Sequence, residues 1–313
     1  MTEHARIIPE EPDSPIPEGW LPIRQVASQT GVNPVTLRAW ERRYGLLIPQ
    51  RTAKGHRLYS DADVLKIQAV LAWLERGVAV SQVAELLRNS QPPTGLLDSP
   101  WQAARQQLLH AIEQLSERKL DELFNANLAL YPPRTIAEQL LLPLFDELAL
   151  RWPTLFAGAL EQVFWHGWLR SRFSARIAQN NRQHSGAPLL LLSLDQNSFI
   201  PELWLTAWLA SCADYPVAVL EWPVPLNQLN LAIERLNPRA LLLHCNQRLD
   251  TKLLRQQLPA LAANAQPPLL LSGLAARIHA TELHGLPGLT LAVTPSDVLL
   301  HLQQLDLLTG TTP

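Results

Sequence analysis

Cysteine is nearly absent: Cys212 and Cys245 are the two in 313 residues. That excludes a disulfide framework and a Cys-rich zinc site. No apolar run reaches the length that spans a bilayer, and the longest ones, LLLLSL and LLLL, fit buried strands. The opening MTEHARIIPEEPDSPIPEGW is acidic and Pro-rich, and lacks the basic-then-apolar order of a secretory leader. The expected compartment is therefore the cytoplasm, without a membrane partner. Motifs for chemistry are missing too. The chain carries no Ser-His-Asp arrangement, no Gly-rich phosphate loop and no metal-spaced cluster, so the expectation is not an enzyme.

What is present begins with 47% hydrophobic residues and a mean hydropathy of -0.02, a soluble chain with enough apolar surface for two or three cores. The net charge of -2 hides an asymmetry. Residues 20–90 hold ten Lys/Arg against five Asp/Glu, while the remainder holds sixteen against twenty-three. A module of +5 on a body of -7 suits a protein that brings one end to a polyanion. A solvated charged face is the alternative reading of charge alone.

The local pattern favours the first. Ile23, Val26 and Ala27 share one side of a short helix that stops at Thr30-Gly31. Asn33 then caps a second helix with Pro34 at its first position. Leu37, Trp40 and Tyr44 form the inward stripe of that helix, Thr36, Arg38, Arg42 and Arg43 lie off it, and Gly45 closes it. Two short helices joined by a tight turn, the second bearing outward arginines, fit a major groove. Arg51 to Tyr59 then reads as a basic hairpin with a glycine at its tip. Ser60-x-x-Asp63 opens a third helix with Val64, Ile67, Leu71 and Leu74 inward, and Ser81 to Arg88 supplies a fourth.

The run from Ile23 to Tyr59, I-x-x-V-A-x-x-T-G-V-x-P-x-T-L-R-x-W-E-R-R-Y-G-L-L-x-P-x-R-T-x-x-G-H-R-L-Y, closely resembles the MerR family of winged helix-turn-helix regulators. Trp40 and His56 point to its MlrA/CarH/LitR-like branch. The resemblance implies base and phosphate contacts from Thr36, Arg38, Arg42 and Arg43, with Asn33 at the helix start. It implies backbone and minor-groove contacts from Arg51, Lys54, His56, Arg57 and Tyr59, although Tyr59 could mainly pack the wing. It also implies a homodimer on paired half-sites of double-stranded DNA, located on the nucleoid when bound.

Beyond Asn89–Gly95, a linker by composition, four amphipathic stretches read as a helical bundle. They begin near Pro100, Lys119, Arg134 and Ala157, and Thr135-x-x-Glu138 is the expected capping box of the third. After Gly186 the texture changes. Apolar runs at Pro188–Leu194, Val217–Glu221, Ala240–Cys245, Pro268–Ser272 and Leu289–Val293 alternate with helical segments, which predicts a flavodoxin-like α/β parallel sheet. The expected division is a tail at 1–19, the winged domain at 20–90, a linker at 91–99, the bundle at 100–183 and the α/β domain at 184–313.

That architecture in that order resembles the cobalamin-binding members of the branch, whose ligand residues fail to match here. Trp152 fills the bundle's tryptophan position, but Gln162 and Val163 stand where the resemblance calls for Glu and His. Ser198 falls at the position of the lower-ligand histidine, and Pro201 at that of a glycine. Serine is no substitute for imidazole on cobalt. The expectation is a degenerate cobalamin-binding domain with no cofactor, which dimerises, meets a protein partner or takes another small ligand. Its candidate ligand or interdomain residues are Trp152, Trp165, Asp195, Ser198 and His244. His244 has the alternative of a core histidine, and Cys245 is expected to be buried rather than redox-active. The alternatives to a cofactor-free regulator are an adenosylcobalamin-dependent light-responsive regulator, a MerR regulator sensing a small molecule between the domains, and a corrinoid enzyme subunit.

Overall fold

The computed structural model describes residues 19–52, 54–89, 100–195, 199–264 and 267–309. Residues 1–18 of the expected tail, the whole expected linker at 91–99 and Ser198 lie outside them. The chain divides into two compact units, Met1–Glu161 and Gln162–Pro313.

The first unit opens with β1 (Trp20–Pro22), followed by α1 (Ile23–Thr30) and α2 (Pro34–Ala39). A π-helical turn, Trp40–Tyr44, prolongs α2 to Gly45. The wing is β2 (Gln50–Arg51) and β3 (Arg57–Ser60), an antiparallel pair closed over Gly55, whose φ of 82° suits a residue without a side chain. β1 joins the other side of β3, with Leu21 opposite Tyr59. This third strand has no signal in the sequence, because three residues hold no period of their own. Next come α3 (Asp61–Glu75) and α4 (Val80–Asn89). The expected capping box is present: Ser60 accepts from Asp63 N, and the Asp63 carboxylate accepts from Ser60 N at 2.9 Å.

Five helices follow: α5 (Pro100–Glu113), α6 (Glu117–Leu128), α7 (Pro133–Ile136), α8 (Leu142–Arg151) and α9 (Gly158–Asn181). The stretch expected as one helix from Arg134 is α7 and α8 joined through a π-helical turn, Ala137–Leu141. The expected capping box at Thr135 is not there. The helix starts a residue or two earlier, at Pro133, so Thr135 is buried inside it and Glu138 instead accepts from Arg134 Nε at 2.9 Å.

The second unit holds five parallel strands: β4 (Leu189–Ser193), β5 (Val217–Leu220), β6 (Ala240–His244), β7 (Leu269–Ser272) and β8 (Leu289–Ala292). Their order is β5-β4-β6-β7-β8, the flavodoxin-like winding in which the order reverses beside the first strand. The inner strands β4, β6 and β7 are leucine runs buried on both faces, as covered parallel sheets require, while the edge strands β5 and β8 are largely half-buried. Helix α10 (Pro201–Cys212) is buried from Leu203 to Ser211. It packs on β4, β5 and α15 (Pro295–Thr309), and its Trp208 stacks on Phe173 of α9 at 5.2 Å. Leu229 of α11 (Leu229–Leu236), Leu258 and Leu261 of α12 (Leu258–Asn264), and Ala275 of α13 (Leu274–Ile278) share a core with Leu241, Leu243, Leu269 and Leu271. A short α14 (Ala280–Leu283) completes the set.

Candidate nucleic-acid interface

The recognition segment from Asn33 to Tyr44 is set by local chemistry. Asn33 Oδ1 accepts from Thr36 N at 2.9 Å, so this residue works as a helix cap. Leu37, Ala39 and Trp40 are buried and pack the helix on its domain. Arg38, Arg42 and Arg43 are exposed, and none has an ion pair among the described residues. Thr36 is 0% exposed, with its hydroxyl unbonded among the described residues. It therefore packs beneath the helix and does not face outward beside Arg38. Val35 takes the outward place, at 58% exposure.

The wing shows a residue that charge counting missed. Glu41, the acid among the arginines, accepts from Arg57 Nε at 2.5 Å and Nη2 at 3.2 Å, and from Arg51 Nη2 at 3.3 Å. It pins the recognition segment to both wing strands. Arg57 is turned inward on this pair, and the Glu41 hydrogen bond holds its guanidinium pKa above the ordinary value. Arg51 keeps 42% of its side chain exposed. Lys54 and His56 stand exposed at the tip. Tyr59 is buried, and desolvation pushes its phenol up to about 12, so it packs the wing. The sequence signal for Glu41 was available: one carboxylate at W-E-R-R is conspicuous in a helix otherwise built for a polyanion.

The reading head is also fastened to the helices that follow it. Trp40 Nε1 donates to Leu130 O at 2.8 Å, Trp101 Nε1 to Gly77 O at 3.0 Å, and Gln139 Nε2 to Glu75 O at 3.2 Å. Each acceptor is a carbonyl at or just past a helix end, where backbone groups lack intrahelical partners. Tyr131 packs against Trp101 with the rings tilted at 52° and their centroids 4.4 Å apart.

The candidates at the carboxyl edge of the parallel sheet face inward. Asp195 is buried and accepts from Asn246 N at 2.8 Å and from Cys245 Sγ at 3.3 Å. Cys245 is buried as expected, and its thiol is pushed up to about 12, chiefly by desolvation. His244 Nδ1 lies 2.9 Å from Ser272 Oγ. Desolvation lowers the imidazole to about 4, and Nε2 is buried with no hydrogen bond among the described residues. Gly273, at φ 83° and ψ -166°, folds tightly over this edge. A Cβ there would meet Cys245 O at 2.6 Å, Asn246 Oδ1 at 2.7 Å and His244 Cε1 at 3.0 Å. Asp195 and His244 are thus neighbours. Trp165 lies on α9, buried and stacked on Trp168 at 5.1 Å, and His166 packs against Phe199 at 5.0 Å. Trp152 belongs to the first unit, in the turn Trp152–Thr154. Glu161, near the place of the expected acid, is paired with Arg151 at 3.6 Å.

A short helix pair with outward arginines beside a basic hairpin defines a winged helix-turn-helix DNA-binding regulator. Residues 21–90 match the model of the MerR HTH family regulatory protein. The HTH-type transcriptional regulator MlrA of Salmonella typhimurium (strain SL1344) is 33% identical over 248 residues, which cover 78% of this chain and 94% of that protein. MlrA of Escherichia coli (strain K12) is 34% identical, over 75% of this chain and 92% of its own length. The transcriptional repressor CarH of Myxococcus xanthus is 30% identical over 143 residues, 42% of this chain and 47% of that protein. A solved structure, a novel cobalamin-binding protein from Desulfitobacterium hafniense DCB-2, covers 66% of this chain and 98% of its own at 16% identity. Its TM-score is 0.35. The chain belongs to the MerR family of helix-turn-helix transcriptional regulators. It is a DNA-binding regulator and not an enzyme.

Proposed function

We propose that the protein binds paired half-sites on double-stranded DNA as a homodimer, acting in the cytoplasm. Arg38 enters the major groove and Arg42 and Arg43 meet the phosphates beside it, while Arg51, Lys54 and His56 hold the flanking backbone. Asn33, Thr36, Arg57 and Tyr59 shape the surface from behind. The observation that carries this reading is the set of three recognition-segment arginines exposed without an ion pair among the described residues. A charged group left unpaired at a surface is free to meet phosphate or a base edge. Arg38→Ala is expected to cost about 1–3 kcal/mol of operator affinity if Arg38 reads a base. Unchanged affinity in a titration of the selected operator would remove that role.

The remaining division is proposed as a helical bundle at 100–183 and an α/β domain at 184–313 that supplies dimer or partner contact without cobalamin. Asp195 is engaged by the backbone and thiol beside it, and the His244 ring is sealed beneath the Gly273 turn. These residues do not fit a corrin laid on this edge. Addition of adenosylcobalamin to the purified protein is expected to leave no bound chromophore after desalting. A coloured protein would contradict the reading.

A further inference from the structure

Of the eight residues from Asn33 to Trp40, Val35 and Arg38 are the exposed ones; Asn33 and Pro34 are half-buried and the other four are buried. A recognition helix offers its N-terminal residues to base edges. Here the polar groups of that end are largely unavailable. Asn33 Oδ1 holds Thr36 N, Pro34 has no donor, and the Thr36 hydroxyl is buried. What faces outward is one guanidinium and one isopropyl group. Valine is a poor helix former compared with most alternatives, so helix propensity does not account for it.

We infer that Val35 is a specificity-determining residue that reads the C5-methyl of a thymine in the major groove. The inference rests on the proposed docking of this helix on DNA. Thymine alone presents a methyl group in that groove, and small apolar side chains recognise it by contact. Val35 and Arg38 lie on one face, three residues apart, nearly one turn of about 5.4 Å. Base pairs are spaced by about 3.4 Å. The thymine therefore falls one or two steps from the base that Arg38 contacts, and Arg38 is suited to the O6 and N7 of guanine.

The test uses the full chain, its Val35→Ala variant and duplexes that the unaltered chain selects from randomised DNA. Each thymine of the selected half-site is replaced singly by uracil, which removes the methyl and nothing else. One replacement, one or two steps from the base whose identity Arg38→Ala ceases to discriminate, is expected to weaken binding by the unaltered chain about fourfold, as for one buried methyl-sized group. The same replacement leaves Val35→Ala unaffected. Alanine at an exposed helical position does not lower helix stability, so the variant folds. Uracil effects equal in both chains at every position would overturn the inference while leaving DNA reading intact. Selection of no sequence at all by the unaltered chain would overturn the proposed DNA reading, and this inference with it.

Discussion

The recognition segment and the carboxyl edge of the parallel sheet are both concentrations of polar residues at places where proteins bind ligands, yet they treat those residues oppositely. On the recognition segment, Arg38, Arg42 and Arg43 face solvent, and the one carboxylate, Glu41, turns to hold the wing. At the sheet edge, Asp195 and His244 bond to their own neighbours and a glycine turn closes over them. Unpaired exposed charge marks a working surface; at the sheet edge the Asp195 carboxylate and His244 Nδ1 are engaged internally, and His244 Nε2 is buried without a hydrogen bond among the described residues. Residue type alone does not distinguish the two: Arg57, a DNA contact by resemblance, is paired with Glu41.

Three substitutions sharpen the contrast, taken from the largest effect. Gly273→Ala forces a side chain into a backbone region open essentially to glycine alone and into contact with Cys245 O. It is expected to destabilise the protein by at least about 3 kcal/mol in denaturant unfolding. A variant as stable as the parent would mean that the edge opens readily and that the α/β unit keeps room for a ligand. Glu41→Gln leaves Arg57 without its ionic partner in a half-buried setting. A loss of about 2 kcal/mol is expected, with weaker operator binding as the wing loosens. A variant that kept full stability and bound DNA more tightly would show Glu41 to be a repulsive charge and not a pin.

The third effect is the pH dependence of the second unit. His244 has a folded pKa of about 4 against an ordinary 6.5, and His166 likewise, both through desolvation. Between those values the unfolded chain binds more protons than the folded one, so stability falls as pH drops from about 6.5 towards 4 and is constant above. Calorimetric melting in that window is expected to show the decline, shallower in His244→Asn because His166 alone then drives it. An equal slope in the two proteins would place the His244 ring in solvent.

Much of the fold was legible because its signals were local. Asn33, Gly45 and the Ser60–Asp63 box marked helix ends by single side chains, and the five parallel strands end within a residue or two of their expected limits. The failures involve non-local packing. β1 exists because β3 offers it an edge. The spacing of Leu37, Trp40 and Tyr44 defines a narrow inward stripe that leaves Thr36 outside it. The packed helix buries a broader face that includes 36 and 39, while Tyr44 is half-exposed. Thr135 matched a capping pattern inside a helix whose start the prolines fixed. At the candidate site the outward arginines were readable from spacing. The roles of Glu41 and Val35 needed the wing and the helix phase in three dimensions.

The most direct measurement is the salt dependence of operator affinity for the parent and for an Arg42→Ala, Arg43→Ala double variant. Each phosphate contact contributes about 0.9 to the slope of log K against log salt concentration. The account predicts weaker binding and a slope smaller by about 2, with the preferred half-site sequence retained. An unchanged slope would contradict it, since the exposed arginines of the recognition segment would then not be meeting DNA.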